Sequence, residues 1–595
     1  MNIDFYKSLS MILSNEDKYR IFRLASALIL ISIIEVIGIS LIAFTLVNFQ
    51  NLASSINSLP YIGLLISSLG LSKINTIYLF CIGILAYSLA SLLLSILLLR
   101  ALNFSSQLIG SRVRLKLIRH FLYSDWMDLY SLQATQQIAN IFNDGRQVGF
   151  IISFCLNLLS RIILSIVIIA FLFLFNAFFT MILVTTLVSS YFIIFSFLKP
   201  FISRHGKNTA HLLDKSLKTL LNIFNSIKEI IFYKKQEEFI SIFGDLDKDL
   251  IYSEASNVSL SQIPRLIIDF FLLVMLMLGV LYISFNNFSD QAFFAALSVY
   301  GLAALKLLPA LQNIYYFYHE ILAREAHLQN ITKIYQSMDL RPKKIKQKIT
   351  FKDNIAFNNI SFSYEQNEFT ALTNVSTVIS IPKNTAIIGP TGSGKTTFLD
   401  ILIGFTEPES GYLSVDGNKL LPNERETIRH NFSYVPQKVY LIEATLRENI
   451  LFGSTLDEKR LDEIIHISQL TDVVDSLPKG LDTILSDSNA LVSGGQKQCI
   501  GFARALYKNA DILIIDEGTN AMDQKLESKI ISSIDQYNIS SIICITHKAS
   551  LLKYFDDILI FNSGKLDASG TYEDLSKSNK FLQTMIEADK KNINK

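Results

Sequence analysis

Six stretches of the chain stay apolar for the roughly 20 helical residues that a bilayer crossing needs: 24–47, 76–99, 150–175, 177–198, 266–285 and 291–318. The third and fourth are separated by little more than Asn176, and the fifth and sixth by residues 286–290, so each pair is predicted to form a tight hairpin. The second-to-third and fourth-to-fifth connections are long, polar and compatible with helix. Hydropathy falls after His319, and RPKKIKQK at 341–348 reads as a charged, solvated linker. From about residue 350 short β-branched runs alternate with helical stretches, the pattern of a βαβ domain. The expected organisation is an α-helical membrane domain of six spans over 1–335, a linker over 336–352 and an α/β domain over 353–595.

Basic residues stay on the cytoplasmic side of a membrane. Arg100, Arg112, Arg114, Lys116, Arg119 and Arg146 fill one long connection, and Arg204, Lys207, Lys215, Lys218, Lys228, Lys234, Lys235 and Lys248 fill the other. The loops of the opposite side carry almost none, Lys73 excepted, so both termini and the α/β domain are expected in the cytoplasm. The segment 48–75 is too long and apolar for a simple external turn. It is either a short amphipathic helix in the outer interface or a loop packed on its own protein.

Composition agrees with a membrane protein: 50% of the 595 residues are hydrophobic, and mean hydropathy is +0.35. A formal net charge of +2 gives no overall basic excess to attract nucleic acid. Cys81, Cys155, Cys499 and Cys544 are scattered, without CxxC or Cys/His spacing, and read as small buried hydrophobes rather than a metal or disulfide framework. The N-terminus lacks a basic region leading into a short apolar core with a cleavage site, so the first long run reads as a permanent anchor.

The chemistry lies in the second half. GPTGSGKT at 389–396 fits G-x-x-x-x-G-K-[ST] in full, after the strand-like TAII and before the helical KTTFLDILIG. That pattern curls backbone N–H groups around phosphates at a helix N-terminus. Gly389, Pro390, Thr391, Gly392, Ser393, Gly394 and Thr397 form the loop and its exit. Lys395 supplies a point charge, and the Thr396 hydroxyl is a ligand for Mg²⁺. The expected domain is therefore an α/β P-loop nucleotide-binding domain with ATP and Mg²⁺ as cofactors. Asp516 ends the apolar run DILIID, placed to hold the Mg²⁺ shell, and Glu517 follows where it would polarise an attacking water. His547 follows SSIICIT and would touch the γ-phosphate. Taken singly, an Asp-Glu pair at a strand end is a solvated cap and a lone His is satisfied surface. Their order after a complete phosphate loop is what favours catalysis.

With VSGGQ at 492–496, these motifs resemble the ATP-binding cassette (ABC) transporter family over nearly the whole chain. The resemblance implies that Tyr364 in SFSY stacks on adenine and that Gln437 in YVPQ senses Mg²⁺ and water. It implies that Ser493, Gly494, Gly495 and Gln496 complete the ATP site of an opposite subunit, and that Asp523 in NAMD belongs to a loop crossing the dimer interface. A homodimer clamped by nucleotide follows, with turns within 121–145 and near 212–231 coupling it to the spans. The chain departs from the family at Val492 and Cys499 and, in DEGTNAMD, at Gly518 and Asn520. TILSDSN at 483–489 loosely echoes the exporter loop TxVGExG, with Asp487 at the place of its glutamate.

Charge inside a span costs roughly 2.5–3.5 kcal/mol at mid-helix, so it usually faces a bundle interior or watery cavity. Glu35, Arg161, Arg265 and Lys306 are the candidate substrate residues. The structural alternatives are that Glu35 pairs with Arg161 or Lys306 and that Arg265 snorkels to headgroups. ILSNEDK, IIEVIGISL, IPRL and LKLLPALQNIYYFYHEIL further resemble the PglK-type lipid-linked oligosaccharide flippases of this family. That resemblance implies a polyprenyl-pyrophosphate glycan as cargo, an anionic amphipathic substrate flipped across the phospholipid bilayer of the bacterial inner membrane. There Lys306 stands in place of an arginine, a point charge rather than a fork. Two other readings stay open: an exporter of another lipid, peptide or drug, and an ATP-gated channel or regulator. No peptidase-like cysteine domain precedes the spans, which speaks against a self-processing peptide exporter.

Overall fold

The computed structural model describes residues 3–48, 52–57, 73–131, 140–175, 177–285, 290–337, 351–364, 370–421, 424–487, 491–517, 529–530 and 539–593. The chain divides into two compact units, one of residues 1–124 and 128–340, the other of 125–127 and 341–595.

In the first unit the apolar stretches lie within six long helices: Asn15–Val47, Lys73–Tyr123, Gly145–Phe175, Ala177–Asn225, Gln236–Phe285 and Asp290–Ala323. Among the described residues, Asn15–Val47, Asn75–Tyr123 and Ile141–Leu174 are long and apolar enough to cross a membrane. Much of the described part of the long polar connections is a continuation of these helices, with the short helices Trp126–Ser131 and Ile227–Phe232 between them. At 1.5 Å per residue the 51 residues of Lys73–Tyr123 extend roughly 75 Å, more than twice a hydrocarbon core of about 30 Å.

The core of this unit follows helical spacing. Leu102, Ile109, Val113 and Leu117 form one buried stripe of the second helix and pack in one cluster with Val148, Ile151 and Ile152 of the third. The first long helix starts in a capping box, in which Ser14 Oγ accepts from Asp17 N at 3.2 Å and the Asp17 carboxylate accepts from Ser14 N at 3.3 Å. Asp17 is buried, and Arg112 Nη1 reaches its Oδ1 at 2.5 Å, so the charge is paired. At the entry to the third helix, the buried Asp144 lies 2.6 Å from His327 Nδ1 and accepts from Asn330 Nδ2 at 3.1 Å. Both partners sit on the helix Glu325–Ser337, which runs two residues into the expected linker. The rest of the expected linker up to residue 350, RPKKIKQK included, lies outside the described residues.

Between the first two long helices, the short helix Leu52–Asn57 packs Leu52 and Ile56 against Phe80, with Leu41 and Phe44 beside them. This part of the external segment is packed on its own protein, while 58–72 lie outside the described residues.

The second unit is built on strands β1 (Asn354–Ser363), β2 (Thr370–Ser380), β3 (Thr385–Ile388), β4 (Ser410–Val415), β5 (Asn418–Lys419) and β6 (Phe432–Val435). The series continues with β7 (Ala444–Thr445), β8 (Ile484–Leu485), β9 (Ile512–Asp516), β10 (Ser541–Ile545), β11 (Asp557–Asn562) and β12 (Lys565–Gly570). The central sheet has the order β12-β11-β3-β10-β9-β6, parallel from β11 to β6, beside an antiparallel sheet β2-β1-β4-β5 and a β7-β8 ribbon. β3, β9 and β10 are buried along their whole length, as strands covered on both faces are. Ile512, Ile514, Ile543 and Ile545 enter one core cluster and Leu513, Ile515, Ile542 and Cys544 the other, the alternation of a strand made visible. Trp126 packs within this unit too, its ring 5.7 Å from that of Phe405.

Phe398 fixes the phosphate-loop helix to its floor, its ring 4.1 Å from that of Phe357 and 4.9 Å from that of Phe561. Phe398→Ala is expected to destabilise this unit by about 3–5 kcal/mol, because a fully buried aromatic leaves a cavity its stiff neighbours cannot fill. A denaturant titration checks this, and a loss below about 1 kcal/mol would contradict the packing argument.

Cys499 and Cys544 are buried among these apolar side chains, as expected, and Cys155 is half-buried. Cys81 departs from the expectation: it is exposed, on the apolar helix Lys73–Tyr123, where Ile82, Leu85 and Leu89 are exposed as well.

Candidate nucleotide site

Four motifs meet at the C-terminal edge of four neighbouring parallel strands: the loop after β3, His547 after β10, Asp516 and Glu517 at the end of β9, and Gln437 after β6. That edge is where ligands bind in open α/β sheets. After Ile388 the chain turns through Gly389 (φ +152°), Gly392 (φ +79°) and Gly394 (φ +96°), which caps the helix Lys395–Leu402. A Cβ on Gly389 would stand 2.2 Å from Phe561 O, and one on Gly394 2.6 Å from Ala371 O, whereas one on Gly392 would meet nothing within 4 Å. Two glycines thus let the loop lie tight on its floor, and the third keeps its mouth open. Pro390 and Thr391 are exposed, Ser393 and Thr397 are buried, and Thr396 presents its side chain at the surface of the first helical turn.

Lys395 Nζ donates to the carbonyls of Gly389 at 2.9 Å and Pro390 at 3.0 Å. The ammonium is curled inside the loop. Burial pushes it below the usual lysine range, against the opposing pull of Glu517 and Asp516. Asp516 is 7% exposed. Burial is the main influence and pushes its carboxyl upward, with Glu517 adding to the rise and the Tyr434 hydrogen bond and Lys395 opposing it.

Glu517 is held from two sides. Its Oε2 accepts from Gln437 Nε2 at 2.6 Å, and its Oε1 lies 2.7 Å from His547 Nε2. Its own N–H donates to Ile545 O at 3.1 Å, which anchors the backbone just past β9 to the end of β10. Tyr364 Oη lies 3.1 Å from Thr397 Oγ1, with its ring edge-on to Phe362.

Ser493 caps the helix Gly494–Tyr507 in a capping box: its N–H donates to Gln496 Oε1 at 2.7 Å, and Gln496 N donates to its Oγ at 3.3 Å. Gly494 and Gly495 form the first turn. Asp487 Oδ1 accepts from Lys497 Nζ of the same helix at 2.8 Å. Asp523, Gly518 and Asn520 lie outside the described residues.

The candidate substrate residues are spread over the first unit. Glu35 is half-buried and accepts from Ser95 Oγ at 3.4 Å. Arg161 is half-buried with its Nε orphaned. Arg265 and Lys306 are exposed, Arg265 standing 3.9 Å from Asp269, whose Oδ1 also accepts from Gln312 at 3.0 Å.

Three polar groups that bear on the site escaped the sequence reading. Tyr434 Oη donates to Asp516 Oδ2 at 3.2 Å. Asp400, on the phosphate-loop helix, has its carboxyl pushed up to about 7 by burial and by the Asp516 carboxylate. Gln498, one turn into the helix Gly494–Tyr507, donates from Nε2 to the Gln437 carbonyl at 2.8 Å. Tyr434 reads as an ordinary strand residue and Gln498 as an ordinary helix residue. Asp400 alone left a signal, a carboxylate within the apolar run FLDILIG.

The residues fit a divalent cation. Asp516 is a buried carboxylate whose oxygen is held by a phenol, and the exposed Thr396 hydroxyl and Gln437 amide are oxygen donors of the kind Mg²⁺ takes.

Residues 372–520 match the family described as ABC transporter. An export ATP-binding/permease protein of Rickettsia bellii is 35% identical over 233 residues, 39% of this chain and 40% of that protein. An ATP-dependent lipid A-core flippase of Ralstonia nicotianae is 33% identical over 226 residues, 37% of this chain and 38% of that protein. The match thus spans about two fifths of the length of these curated relatives. The solved structure of a bacterial Atm1-family ABC exporter with ATP bound superposes with a TM-score of 0.79 at 19% identity, over 95% of this chain and 98% of that one. The second unit therefore carries an ABC transporter domain over residues 372–520, and the chain along its length has the fold of that exporter structure.

Proposed function

We propose that the chain works as a homodimeric, ATP-driven translocase that flips a lipid-linked oligosaccharide from the cytoplasmic to the outer leaflet of a bacterial inner membrane. The observation that carries the ATPase half is the meeting of Lys395, Asp516, Glu517, Gln437 and His547 at one edge of a sheet. Backbone N–H groups of 389–396 and the Lys395 ammonium bind the β- and γ-phosphates. Glu517 orients the attacking water and accepts its proton, while His547 holds Glu517 in place from the side of the γ-phosphate. Thr396, Asp516 and Gln437 hold Mg²⁺, which neutralises phosphate charge when bound. Tyr364 offers its ring to adenine. The N-terminus of the helix capped by Ser493, with Gly494, Gly495 and Gln496, serves the nucleotide of a second copy. ATP then closes two cassettes, and hydrolysis frees them.

The cargo reading is supported by exposed charge within long apolar helices. Lys306 and Arg265 are exposed in the single chain, where a watery cavity between two copies would let them meet an anionic headgroup. In proteoliposomes, polyprenyl-pyrophosphate glycan is expected to stimulate ATP hydrolysis and to become accessible outside. Arg265→Ala and Lys306→Ala are each expected to reduce that translocation at least tenfold while basal hydrolysis persists. Translocation at the parental rate in both variants would remove the cationic site. Absence of hydrolysis in the parent would remove the translocase itself.

A second cargo, another anionic amphipathic lipid, is favoured by the relatives named as lipid A-core flippases and by the point charge of Lys306. Stimulation by lipid A-type lipids without a response to the glycan would select it.

A further inference from the structure

We infer that Tyr434 is a positioning residue for the metal carboxylate: its phenol holds one oxygen of Asp516 and thereby sets the direction of the other. The inference rests on the reading of Asp516 as a Mg²⁺ ligand. β6 and β9 run parallel with Tyr434 opposite Ile514. Side chains alternate along a strand, so Ile512, Ile514 and Asp516 share one face of β9. That face is covered by the phosphate-loop helix, for Ile512 and Ile514 cluster with Phe398 and Leu402, and Tyr434 packs against the same cluster.

Asp516 therefore stands one two-residue step, about 6.6 Å, ahead of the residue opposite Tyr434. A phenol is long enough to span that step and carries a donor at its tip. An aliphatic strand residue at 434 has neither property. The hydroxyl arrives at Oδ2 at 3.2 Å.

The hydrogen bond matters because the terminal torsion of an aspartate is broad, and packing alone leaves the carboxylate free to turn. Tyr434 is itself well placed to hold it. β6 ends the central sheet, and three residues beyond Tyr434 the Gln437 carbonyl is tied to Gln498 of the helix Gly494–Tyr507 at 2.8 Å. Hydrogen-bond partners behind a metal ligand are worth about 10–100-fold in metal affinity.

The test uses the full chain in lipid nanodiscs, with Mn²⁺ as the probe and ATPγS as the slowly hydrolysed nucleotide. Mn²⁺ binding is read by electron paramagnetic resonance. Tyr434→Phe is expected to weaken nucleotide-dependent Mn²⁺ binding by about 10–100-fold. ATPγS binding in EDTA and the thermal midpoint in EDTA should stay at parental values. Parental Mn²⁺ affinity in Tyr434→Phe overturns the inference, and a lowered thermal midpoint with that affinity intact would make the phenol purely structural. Should the Phe variant fail to fold, Tyr434→Met removes the same hydroxyl and is read the same way. A parent chain without any nucleotide-dependent Mn²⁺ site would instead remove the metal reading of Asp516.

Discussion

Glu517→Gln should slow phosphate release by about 10²–10⁴-fold, the contribution of a positioned general base, while ATP binding survives. The side chain is held at both oxygens, 2.6 Å from Gln437 Nε2 and 2.7 Å from His547 Nε2. Glutamine matches glutamate in shape, so the strand end and the loop should stay where they are. What the amide lacks is the ability to take a proton from water. If two copies are clamped by nucleotide, as proposed above, a site that still binds ATP but does not cleave it keeps them together, so pairing of the full chain in nanodiscs with Mg²⁺ and ATP should outlast that of the parent. Phosphate release in Glu517→Gln within a few-fold of the parental rate would contradict the role given to this carboxylate. An ATP-gated channel would answer differently, staying open or shut without losing a coupled transport cycle.

Lys395→Ala should weaken ATP binding more than a hundredfold, the consequence of removing roughly 3 kcal/mol of charged contact from a buried phosphate site. Lys395 is only 6% exposed, and burial already disfavours its charge. In this structure two loop carbonyls compensate it, at 2.9 and 3.0 Å. Phosphate oxygens are the stronger partners, and the flexible stem lets the ammonium turn from the carbonyls to them. Alanine also relieves the chain of a buried charge, so the thermal midpoint without nucleotide should not fall. A fluorescent ATP analogue measures the loss. Affinity within threefold of the parent would mean that the backbone cradle alone binds the triphosphate.

Much of the candidate site was legible because it is written in local patterns. The phosphate loop needs glycine at set positions, whatever the rest of the molecule does, and at Gly389 and Gly394 a Cβ would overlap backbone oxygens. Asp516 and His547 announced themselves by ending or following fully apolar runs, which become the buried strands β9 and β10. Ser493 and Gln496 are spaced three apart, as a capping box requires. Tyr434 and Gln498 gave no such sign. Their partners lie 82 and 61 residues away in the chain, on a neighbouring strand and in a neighbouring loop. Ser95 beside Glu35 gave no sign either: the sequence offered Arg161 or Lys306 as its alternative partners, and the structure shows the Ser95 hydroxyl at 3.4 Å.

By itself, then, the amino-acid order determined the apolar stretches that become long helices, the βαβ alternation and the phosphate-loop motif with its companions, because helical and strand periodicity and backbone freedom are properties of neighbouring residues. Only the tertiary structure decided that β6 lies beside β9, that Tyr434 therefore reaches Asp516, and that Gln437 and His547 grip Glu517 from opposite sides. Strand order and side-chain reach across a sheet depend on residues far apart in the chain, and no local pattern encodes those distances.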